Sequence, residues 1–159
     1  MSVSVSTGVI TFTYTSTTIL EKVKELTART AQATFGENSP VALVDQFAVS
    51  DDEENTVLIK MKEAAGRIFQ NFSKLTYGVT APVTLADANV ILKIVDNAGY
   101  NPGTPTMIDS LMEEAIVDYV VSAWFAMKKI SDQSNFYFIA YNSCVKDLVN
   151  LSFELRLVA

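Results

Sequence analysis

Residues 106–156 read TMIDSLMEEAIVDYVVSAWFAMKKISDQSNFYFIAYNSCVKDLVNLSFELR. At helical spacing this stretch separates into two long amphipathic segments, Thr106 to Ile130 and Ser134 to Arg156, joined by the polar turn Ser131-Asp132-Gln133-Ser134. In the first segment Met112, Ile116, Tyr119, Ala123 and Met127 form one stripe, and Leu111, Ala115, Val120 and Trp124 widen it. Ser110-Leu111-Met112-Glu113 has capping-box spacing at its start, and Lys128 and Lys129 suit the negative end of its dipole. In the second segment Tyr137, Tyr141, Cys144, Leu148, Leu151 and Leu155 recur every three or four residues, flanked by Phe138, Val145 and Val149. Apolar faces this wide exceed what a solvated helix needs, so the hairpin raises the expectation that copies of the chain associate.

Upstream, Ser50-Asp51-Asp52-Glu53 is a capping box with acids facing the positive end of a helix dipole. Behind it Leu58, Met61, Ala65, Ile68, Phe72 and Leu75 keep one apolar face, and Gly78 is a natural stop. A weaker helix opens at Thr18-Ile19-Leu20-Glu21, with the stripe Ile19, Val23, Leu26, Thr30 and Ala33 and an end at Gly36. Pro40, Leu43, Val44 and Phe47 belong to an irregular connection with one apolar turn.

Two segments have the period of a strand. Residues 9–15 place Ile10, Phe12 and Tyr14 on one face and threonines on the other, and the β-branched run Val90 to Val95 is expected to pair with them. Residues 1–8, with Val3 and Val5 in the same period and Gly8 as a bend, read either as a strand extension or as a mobile arm. The Gly- and Pro-rich stretch 97–105 reads as an exposed loop carrying Tyr100 and Asn101. The expected fold is therefore mainly α: a four-helix bundle-like single domain over residues 1–159 with a small antiparallel β element.

Composition removes several classes of function. A net charge of −6 and scattered basic residues disfavour a nucleic-acid surface, which needs clustered Lys and Arg. The N-terminus lacks the charged and apolar regions of a signal peptide, and the apolar run Ala115 to Met127 is too short for a bilayer, so the expectation is a protein assembled in the cytoplasm without a membrane span. Cys144 is the single cysteine and reads as a small buried hydrophobe; with no histidine in the chain, an activated thiol lacks its usual partner.

Motif reading is equally sparse. The acidic run Asp51 to Glu54 lacks the alternating ligands and central glycine of a calcium loop and is explained as a helix cap. Ser143-Cys144-Val145-Lys146 matches a Ser-x-x-Lys pattern without the partner motifs of that chemistry, and the six glycines never cluster into a phosphate-binding loop. No catalytic, cofactor-binding or metal-binding residue is assigned, and no cofactor is expected. Candidate protein-contact residues are Val3 and Val5 near the N-terminus, Tyr100 and Asn101 in the loop, and Trp124 on the hairpin.

The order of these elements resembles the small head-tail connector (adaptor) proteins of tailed bacteriophages, particularly those of phages infecting gut Bacteroidales. The phrases that carry the resemblance are Val49-Ser50-Asp51-Asp52-Glu53-Glu54 leading into Met61-Lys62-Glu63-Ala64-Ala65, then Leu111-Met112-Glu113-Glu114-Ala115 through Tyr119 to Trp124-Phe125, and the closing Glu154-Leu155-Arg156. The resemblance implies a structural, non-enzymatic virion protein of the phage neck. It also implies a twelve-fold homo-oligomeric ring that contacts portal and tail or neck proteins while DNA passes through without specific binding. An acidic lumen would repel DNA phosphates over a screened distance. The alternative from another class is a small intracellular enzyme or regulatory binding domain that dimerises through the C-terminal hairpin.

Overall fold

The computed structural model describes residues 2–36, 45–97 and 99–157; Pro40, Leu43 and Val44 lie outside them. Among the described residues the fold is mainly helical, with four helices and a small four-stranded antiparallel sheet.

Strands β1 (Ser2–Ser6) and β2 (Val9–Thr15) form a hairpin, so the N-terminal residues extend the sheet rather than standing off it as an arm. Its two-residue loop is Thr7-Gly8, both with positive φ (50° and 77°), which is the backbone that matches the twist of paired strands. β3 (Val83–Leu85), too short to show a period in sequence, flanks β4 (Asn89–Val95), and the sheet order is β1-β2-β4-β3. β4 pairs with β2 in the register Phe12 to Leu92, which puts Ile10, Phe12, Tyr14, Val90, Leu92 and Ile94 on one buried face. That alternation is the period-2 pattern of the sequence realised.

Helix α1 (Ser16–Phe35) begins directly after β2, earlier than the Thr18 box; Thr15 is its N-cap and donates its hydroxyl to Thr18 Oγ1 at 2.9 Å. It buries Ile19, Val23, Thr27 and Ala31, whereas Leu26 and Thr30 are half-buried and Ala33 is exposed. Thr27 is tolerated inside because its hydroxyl donates to the Val23 carbonyl at 2.8 Å and accepts from the Val49 amide at 3.2 Å. Gly36 closes the helix at φ 82°, as expected.

The Ser50 capping box is formed, but its first turn, Asp51–Glu53, is 3₁₀. Helix α2 (Glu54–Phe69) follows and tightens again into 3₁₀ over Gln70–Leu75, so the apolar stripe changes pitch before reaching Phe72. Val57 rather than Leu58 is the buried member of its first turn.

Helix α3 (Thr104–Met127) starts at Gly103 with Pro105 in its first turn, ahead of the Ser110 capping box. Helix α4 (Ser131–Leu157) begins where the sequence suggested a turn, and the link is Lys128-Lys129-Ile130 with Lys129 at φ 61°. α3 and α4 make the most extensive helix pair, α3 also packs on α2, α1 and the sheet, and one continuous core joins them. Among the described residues no helix is long and apolar enough to cross a membrane.

Candidate functional site

A cleft of about 540 Å³ opens between α1 and α3, and its rim is charged: Lys22, Glu25 and Arg29 on one side, Glu113, Glu114 and Asp118 on the other. The acids of α3 are unusual for their burial. Asp109, Glu113 and Asp118 are 2%, 3% and 6% exposed, respectively, on a helix that is apolar on nearly every other side. Charged groups are rarely placed so deeply without a partner, because removing them from water is costly.

Their partners differ. Glu113 takes an ion pair from Lys22 through one oxygen, while its Oε2 has no hydrogen-bond partner. Asp109 lies beside Tyr14, whose hydroxyl donates to the Asp109 backbone carbonyl at 3.3 Å, and its Oδ1 is unpartnered. Burial, with Glu113 adding to it, raises the Asp109 carboxyl above its ordinary value. Tyr14, buried against these acids, is pushed far above the usual phenol range. Asp118 is pushed up to about 6, first by burial and then by Glu114, and its Oδ2 has no partner.

On the α4 side of α3, Glu114 and Asp118 meet Cys144. The thiol sulfur and one oxygen from each carboxylate all lie within 4.8 Å of one another. Glu114 and Asp118 are four residues apart and share one side of α3, a relationship the sequence states. That Cys144 faces them depends on how α4 docks, and sequence does not state that. Cys144 is buried, and burial followed by Glu114, Asp118 and Asp147 pushes its thiol up to about 11. With no cation beside it such a thiol stays protonated at neutral pH, and its burial agrees with its reading as a small buried hydrophobe.

A second polar cluster ties α2 to the hairpin. Glu63 accepts from the Tyr119 hydroxyl at 2.5 Å, from Lys60 at 2.9 Å and from Arg67 at 3.2 Å. The Tyr119 hydrogen bond, then Lys60 and Arg67, hold the Glu63 carboxyl down to about 2 against the opposing effect of burial. Tyr119 in turn is pushed up to about 12 by burial and by Glu63, and its ring meets Tyr141 edge-on at 5.2 Å. Every strong acceptor here is already engaged by protein donors, so this cluster fastens helices together.

The expected contact residues fare differently. Trp124 is a correction: it is 3% exposed, its Nε1 donates to the Phe47 carbonyl at 2.8 Å, and Lys128 lies 4.6 Å above its ring. An indole with one apolar body and one donor was satisfied inside the chain, leaving nothing for a partner. Tyr100 packs half-buried against the core and donates to Asp96, with burial and Asp96 pushing its hydroxyl up to about 12. Asn101 is exposed, and its Oδ1 accepts from the Gly103 amide at 2.9 Å at the entry to α3. Val3 is partly buried against the core, and Val5 is exposed on the edge strand β1.

The wide apolar face expected of the hairpin is left partly uncovered on the outer side of α4, where Ile139 and Phe153 join the Phe138 flank. Phe136, Phe138, Ile139 and Phe153 are 64%, 47%, 69% and 52% exposed, respectively, while the stripe Tyr137 to Leu155 is buried beneath them. The signal was present as apolar residues outside the stripe, but a wide apolar face reads the same whether the chain covers it or not. In comparisons with known proteins, no family model, no curated protein and no solved structure matches this chain.

Proposed function

We propose that this protein is a self-assembling structural subunit, a ring-forming connector of the phage neck that links portal and capsid to tail and lets DNA pass. The observation that supports self-assembly is the uncovered apolar side of α4. Phe136 and Ile139 are one turn apart, and Phe153 returns to the side of Ile139 about four turns later. Fully burying an exposed side chain of this size is favourable by about 1.5–3 kcal/mol, so these half-exposed residues together offer a neighbouring copy an apolar surface to cover. The net charge of −6 suits a conduit that must not hold DNA. The neck assignment itself rests on the resemblance of the sequence phrases given above.

A second reading, a small enzyme or regulatory binding domain that dimerises through the hairpin, draws support from the charged cleft between α1 and α3. Size-exclusion chromatography with light scattering separates the two. The connector reading expects a closed oligomer of many 17.4 kDa chains, seen as rings by negative-stain microscopy, and its reduction to monomer by Phe136→Ser with Ile139→Ser at unchanged circular dichroism. A wild-type monomer or simple dimer at high concentration would overturn it.

A further inference from the structure

We propose that Glu114, Asp118 and Cys144 form a binding site for one divalent transition-metal ion of the zinc type, held between α3 and α4. Three observations converge. The donor set is two carboxylates and one thiol, a mixture that suits a borderline-soft cation rather than calcium or magnesium. The three ligand atoms lie within 4.8 Å of one another. Ligands bonded to zinc at about 2.0–2.3 Å stand roughly 3.3–3.8 Å apart in a tetrahedral shell, so closing the site takes a contraction of at most about 1.5 Å. Glu114 is exposed on a long side chain and can supply that movement.

The independent sign of a missing ligand is Asp118. It is only 6% exposed, one of its carboxylate oxygens lies in the cluster, and its buried Oδ2 has no hydrogen-bond partner among the described residues. The field at the thiol is negative from Glu114, Asp118 and Asp147 together. Such an arrangement is unfavourable on its own, since each acid raises the cost of ionising the next. A divalent cation reverses every one of those interactions: it displaces the thiol proton, neutralises the carboxylates and cross-links the two longest helices. Three protein ligands leave one tetrahedral position for water or an exogenous ligand. The inference does not depend on ring assembly, because all three ligands come from one chain.

The test is cobalt and zinc titration of the full chain, freed of metal by chelator and kept reduced. The expected result is one cobalt per chain with a thiolate-to-cobalt charge-transfer band, displaced by zinc, and a higher melting temperature with zinc than with chelator. Cys144→Ser should abolish the band, and Asp118→Asn should weaken binding by at least about tenfold. Glu114→Gln, at an exposed position that leaves folding intact, should weaken it comparably. Absence of stoichiometric cobalt binding to the wild type would overturn the site. Retention of full affinity in both Asp118→Asn and Glu114→Gln would also overturn it, since binding would then need only a thiol.

Discussion

Helices α3 and α4 have similarly long apolar runs, yet the fold uses them in opposite ways. α3 is buried around most of its circumference, by α1, α2, the sheet and α4, and even holds three acids inside. α4 buries a single stripe and leaves Phe136, Phe138, Ile139 and Phe153 to solvent. The lesson is that hydrophobicity marks a helix for burial without saying by whom. For α3 the same chain covers most of the helix and leaves only Met107 and Met127 near its ends as large exposed apolar residues; for α4 the outer side waits for something the single chain does not provide, which is why assembly is proposed there.

The sharpest way to break this comparison is the same deletion on each helix. Phe125→Ala on α3 removes a fully buried ring stacked 6.2 Å from Tyr137 and should cost about 3–5 kcal/mol by urea denaturation. Phe138→Ala on α4 should change monomer stability by less than about 0.5 kcal/mol. Equal losses would mean that the two helices are not used differently.

A smaller effect probes the far end of α3. Trp124→Phe removes the donor to the Phe47 carbonyl together with part of the buried ring, so a loss of about 1–3 kcal/mol is expected. A neutral substitution would show that neither this hydrogen bond nor the lost ring volume stabilises that end of α3.

The smallest effect is pH-dependent and tests how α2 is fastened to α3. Glu63 is held at about 2 against an ordinary value of 4.5, so the native state binds fewer protons than the unfolded state between those values. Its contribution to stability is present above pH 4.5 and is lost as pH falls from there toward 2. With about a third of the side chain exposed, solvent screening reduces the amount to about 1 kcal/mol. Tyr119→Phe removes the largest cause and should flatten the stability profile on that acidic side. An unchanged slope would place the acid sensitivity elsewhere.

Legibility in the sequence followed the strength of the local pattern. All six members of the α4 stripe, Tyr137 to Leu155, are buried as the spacing predicts, and β2 and β4 pair as their alternation predicts. α1 was read less well because its stripe is weak: the true row steps by four through Ile19, Val23, Thr27 and Ala31, and a threonine was admitted by hydrogen bonds that no periodicity reports. The Ser110 box was a false start because Gly103 and Pro105 open α3 earlier. The acids Asp109, Glu113 and Asp118 are polar letters in an amphipathic pattern, and by pattern alone they belong on the solvent side.

The sequence by itself determined the helices, the two paired strands, the acid-capped start of α2 and the buried stripe of α4, because those follow from periodicity and capping within a few turns of chain. Only the tertiary structure decided which residues face one another across elements. It turned Trp124 inward onto Phe47, closed the N-terminal residues into the sheet, and set Cys144 against Glu114 and Asp118. Those pairings depend on how α3 and α4 rotate and slide when they dock, and a periodic pattern is nearly indifferent to a rotation that keeps its apolar side covered.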